Sequence, residues 1–65
     1  MSSPAFLVHT IVRLVEDFHA PAGVIPRGTE ATVVQVFGDG AEYQVEFEGP
    51  WEVPETVPAE LLEPV

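Results

Sequence analysis

The sequence predicts an all-β fold, a small barrel of five short strands with a 3-10 or helical turn before the last. Three observations predict it. Eleven valines, together with threonine, isoleucine and aromatic residues, fall into short runs. Seven prolines and five glycines separate those runs and leave little room for helix. The cleanest run, Glu42 to Glu48, alternates polar and apolar residues with the period of a strand. With 65 residues the chain makes one domain, 1–65, because a second core could not be assembled from so little material. Residues 1–8 are expected as a frayed N-terminal segment.

Each element has its own signal. Strand one is Thr10-Ile11-Val12-Arg13-Leu14-Val15, with Val12 and Leu14 on one face. Glu16 to Arg27 reads as a long loop, since Pro21 and Pro26 block ladder pairing and Gly23 permits a turn. Strand two runs from Thr29 to Phe37. Its parity is inconsistent: Ala31 and Val33 share one face, Val34 and Val36 the other, so a bulge or sharp coil is expected in mid-strand. Gly38-Asp39-Gly40 is a hairpin turn. The return strand, 42–48, puts Tyr43, Val45 and Phe47 inward and Glu42, Gln44, Glu46 and Glu48 outward. After the Gly49-Pro50 turn come Trp51-Glu52-Val53 and, beyond Pro54, Glu55-Thr56-Val57. Pro58 to Leu61 has the length of a single helical turn, and Leu62 to Val65 closes the chain as a last strand.

A long first connection, tight later hairpins and a helical turn before the last strand describe an SH3-like barrel. The stretch from Arg27 to Phe37, the Gly38-Asp39-Gly40 turn and Tyr43-Gln44-Val45-Glu46-Phe47 resemble an uncharacterised bacterial family of very small SH3-like, KOW-like β-barrel domains. The resemblance covers residues 10–65 and departs at Ala31, where the family pattern has a second glycine. It implies a fold and no established activity. Related domains serve as transcription and ribosome modules, as enzyme subunits and as toxin-neutralising partners.

Charge narrows the function classes. Eleven acidic residues stand against two arginines and no lysine, for a net charge of −9. Residues 1–27 are neutral overall, and the whole excess falls in residues 28–65, which hold nine acids and no base. Such a field repels phosphate backbones and anionic membrane surfaces, so direct nucleic-acid binding and membrane association are not expected. A hydrophobic content of 46% argues for a folded chain in spite of the charge. No cysteine is present and no apolar run approaches ~20 residues, so a cytoplasmic setting without a disulfide framework is expected.

Catalysis finds little support. The serines, Ser2 and Ser3, lie near the N-terminus, and there is no cysteine or lysine to act as nucleophile. His9 and His19, ten residues apart across a strand and a loop, lack the close pairing of metal-ligand motifs, so neither metal nor cofactor is expected. Carboxylates on the outside of a strand are what a solvated sheet face looks like, and no catalytic role is assigned to them.

The expected function is therefore a non-enzymatic protein–protein interaction module that presents an acidic face to a basic partner. A concrete form is an immunity protein or antitoxin neutralising a basic toxin or nuclease. Glu46, Glu48 and Glu52 would steer association, and Trp51 and Phe18 would supply apolar anchors. Two alternatives stay open. One is self-association, as a subunit or homo-oligomer whose ligand or catalytic site forms between chains, and the other is mimicry of a nucleic acid by spaced glutamates.

Overall fold

The computed structural model describes residues 6–51 and 54–65. Among the described residues there are seven strands: β1 (Ile11–Leu14), β2 (Phe18–Ala20), β3 (Gly23–Ile25), β4 (Glu30–Phe37), β5 (Glu42–Phe47), β6 (Glu55–Pro58) and β7 (Leu62–Pro64). Single 3-10 turns cover Gly38–Gly40 and Ala59–Leu61. The all-β class is as expected, and so are the positions of the Gly38 turn and of the turn before the last strand. Among the described residues no helix is long and apolar enough to cross a membrane.

Two expectations are corrected. The expected five strands are seven in two sheets, because the segment read as a loop folds back on itself. Phe18 pairs with Ile25, His19 with Val24 and Ala20 with Gly23, so β2 and β3 form a short hairpin of their own. The prolines that argued against pairing lie just outside it, Pro21 in its turn and Pro26 after its last residue. The closed barrel is also corrected. The main sheet is antiparallel in the order β6-β5-β4-β1-β7, and β6 and β7 are its two edges rather than partners of each other. Both edges carry proline, Pro58 on β6 and Pro64 on β7, which removes backbone donors that another strand would use.

The inconsistent parity of the second long strand has the expected cause. Ala31 lies opposite Phe47 and Val33 opposite Val45, but the next pair is Gln35 with Gln44, so Val34 is the extra residue of a bulge. Skipping Val34 brings Val36 opposite Tyr43 and returns it to the side of Ala31 and Val33. The apolar positions of β4 thus face one core although they do not alternate in sequence.

That core is made of Val12 and Leu14 from β1, Ile25 from β3, Ala31 and Val33 from β4, Tyr43, Val45 and Phe47 from β5, Val57 from β6 and Leu62 from β7. Phe6 joins it. Residues 1–5 of the segment 1–8 lie outside the described residues, whereas Phe6 is buried, with its ring edge-on to Tyr43 at a centroid distance of 5.2 Å. Its N–H donates to the Tyr43 hydroxyl oxygen at 3.2 Å. No charged side chain is buried among the described residues, so every carboxylate described is available to the surface field.

Candidate functional site

The ladder pairings decide which acidic residues share a surface. Val12, Ala31 and Phe47 form an inward row across β1, β4 and β5, so their chain neighbours point outward. One outward row runs Glu63, Arg13, Glu30. It continues to Glu48, whose N–H donates to the Glu30 carbonyl at 2.8 Å. The adjacent row runs Ile11, Thr32, Glu46. Val65 follows β7 one residue beyond the Val12–Pro64 pair and so comes beside Ile11. The outer side of the sheet therefore gathers Glu30, Glu46, Glu48 and Glu63 around a single base, Arg13.

Arg13 is not free to neutralise the cluster evenly. Its Nε donates to Glu63 Oε2 at 2.7 Å, and both side chains remain nearly half exposed. Glu30 and Glu48 stand directly across from each other, an arrangement of like charges that costs a sheet stability. Glu46 lies two residues from Glu48 on the same side of β5. Three carboxylates are thus held close together at the β4–β5 end of the face while the only base is engaged at the β7 end.

The residues expected to bind a partner are divided by the structure. Glu46 and Glu48 are exposed on the acidic face. Glu52 lies outside the described residues. Phe18 does not sit at a loop tip: it opens β2, is half-buried, and stacks on Phe47 with ring centroids 6.2 Å apart. Since Phe47 points inward, Phe18 packs on the core side of the sheet and does not share the face of Glu46 and Glu48. Trp51 is half-buried against the core, with its indole Nε1 3.7 Å from where a Cβ on Gly49 would stand. Gly49 has a φ of +104°, which admits this close return of the chain after β5.

Glu30 and Glu63 belong to the face and were not singled out by sequence, as was true of Ile11 and Val65. Their signal is parity relative to Val12, Ala31 and Leu62, which becomes informative once the pairing of β1 with both β4 and β7 is known. Among the described residues no group of three or more histidines, aspartates or glutamates is arranged to hold a metal ion. No protein-family model matches the chain, and comparison with curated proteins and with solved structures returns no match.

Proposed function

We propose that the protein is a non-enzymatic interaction module whose outer sheet face receives a basic protein. The observation that carries this reading is the cross-strand adjacency of Glu30, Glu48 and Glu46, with Arg13 drawn away to Glu63. Carboxylates placed opposite one another lower the stability of the free sheet, and a partner that supplies lysine or arginine turns the repulsion into attraction. A solubility coat would be served as well by dispersing them. We further propose an SH3-like architecture within the bacterial family named above. Support comes from the strand order, from a hairpin inserted after the first strand, from the bulge in β4 and from the 3-10 turn between β6 and β7.

The test is binding of a basic protein probe, such as a histone or a basic nuclease, measured at low and at raised salt. Tight binding at low salt that weakens steeply with salt and is abolished by Glu46→Lys with Glu48→Lys supports the reading. Binding that ignores both salt and the charge reversals overturns it.

A further inference from the structure

We infer that the basic partner is held through an amphipathic segment, whose apolar side chains rest on a hydrophobic corner beside the acidic cluster; this rests on the reading above. The corner is formed where β1 begins and β7 ends. Four of the five large hydrophobic residues exposed among the described residues belong to the segments that border it: Leu7 (67%), Val8 (45%), Ile11 (51%) and Val65 (63%). Continuing the β1–β7 register by one residue sets Val65 beside Ile11 on the outer side of the sheet, and Leu7 and Val8 belong to the turn that leads into β1. Isolated exposed apolar side chains are ordinary, whereas a contiguous group rimmed by charge marks a contact surface.

Charge selects the occupant. Ile11, Thr32 and Glu46 lie side by side on consecutive strands, so Glu46 stands only ~10 Å from the apolar corner at the usual strand spacing. A segment that lays an apolar side chain on Ile11 brings its next basic residues within reach of Glu46 and Glu30. A second copy of this chain fits poorly, because it carries the same net charge of −9 and no lysine. Pairing of copies edge to edge is further opposed by Pro58 and Pro64. The turn that presents Leu7 and Val8 is also held at a cost: His9, within it, has a φ of +78°, a conformation that residues other than glycine seldom adopt.

The experiment uses three short synthetic peptides as probes: lysine alternating with leucine, lysine alternating with serine, and glutamate alternating with leucine. Each is titrated into the isotopically labelled protein, with amide shifts read by NMR and the oligomeric state followed by light scattering. The lysine–leucine peptide is expected to bind at least about tenfold more tightly than the lysine–serine peptide. Its shifts should centre on Ile11, Thr32 and Glu46, and Ile11→Ser should weaken it by about tenfold. Equal binding of the two lysine peptides, unaffected by Ile11→Ser, overturns the apolar corner and leaves the acidic reading standing. Equal binding of the glutamate–leucine peptide overturns the acidic reading itself. A dimer in which Ile11 is protected overturns the choice of partner in favour of a second copy.

Discussion

His9 and Gly28 occupy the same position in two matching turns at opposite ends of the β1–β4 ladder. Each is the third residue of a turn closed by a backbone hydrogen bond, Thr10 N–H to Leu7 O at 3.0 Å and Thr29 N–H to Pro26 O at 3.2 Å. Each has positive φ, 78° for His9 and 90° for Gly28. Each then donates across the ladder, His9 to Val33 O at 2.7 Å and Gly28 to Leu14 O at 2.9 Å, and the following threonine carbonyl accepts the return bond. Two residues thus oppose one at both ends, a turn followed by a bulge whose first position favours glycine. The chain uses glycine at one end and histidine at the other.

This equivalence makes a prediction about His9. A left-handed backbone costs a residue with a Cβ about 1–2 kcal/mol, part of which a glycine gives back through its freer unfolded state. His9→Gly should therefore stabilise the protein by up to about 1 kcal/mol, and Gly28→His should destabilise it. Urea unfolding followed by Trp51 fluorescence reads both; a loss of stability in His9→Gly would show that the histidine side chain holds the turn.

The Tyr43 hydroxyl ties the chain entering β1 to the core. Its oxygen is the acceptor for the buried Phe6 N–H, and removing it leaves that donor without a partner. Tyr43→Phe should cost about 1–3 kcal/mol, although the ring and its edge-on contact with Phe6 are retained. Amide hydrogen exchange should quicken at Phe6 before the rest of the molecule. Unchanged protection at that amide would count against the bond.

Charge reversal on the acidic face should separate stability from binding. Glu48→Lys places a base opposite Glu30 and replaces repulsion with attraction, so the free protein should gain about 0.5 kcal/mol at low salt and less as salt is raised. The same substitution should weaken capture of a basic probe. If stability falls instead, Glu30 and Glu48 do not interact across the ladder as their backbone hydrogen bond implies.

The Arg13–Glu63 pair should contribute little to stability. With the two side chains 41% and 44% exposed, water screens the contact, and a double-mutant cycle with Arg13→Gln and Glu63→Gln should return less than about 1 kcal/mol. Arg13→Gln alone makes the face more negative. Its effect on a basic probe should be tighter binding at low salt, and weaker binding would mean that Arg13 itself touches the partner.

Gly38 should resist substitution. It opens the β4–β5 turn with a φ of +57°, and an added Cβ would come 3.3 Å from the Cβ of Ala41. Gly38→Ala should cost about 1 kcal/mol or more, because the strained backbone and the tight contact act together. The loss should appear in the thermal midpoint. An unchanged midpoint would indicate that the turn can adopt a different geometry.

Much of the β structure was legible in the residues themselves because its signals are local. Tyr43, Val45 and Phe47 alternate cleanly with polar residues, and the two glycines around Asp39 mark the turn. The broken parity of Ala31, Val33, Val34 and Val36 pointed to a bulge, which Val34 supplies. The β2–β3 hairpin was missed since its three-residue strands are too short to show a period, and its prolines read as breakers although they lie outside the paired residues. Phe18 was misplaced for the same reason. A loop would have exposed it, whereas a hairpin strand turns it onto Phe47.

The sequence by itself determined the strand class, the inward residues of the 42–48 strand and the acidity of everything after Arg27. It did not determine which acids stand together, because that depends on how strands distant along the chain come into register. Only the tertiary structure decided that Glu30 faces Glu48, that Arg13 is drawn to Glu63 fifty residues away, and that β7 ends beside the start of β1. Alternation is a property of one strand, and a face is a property of several.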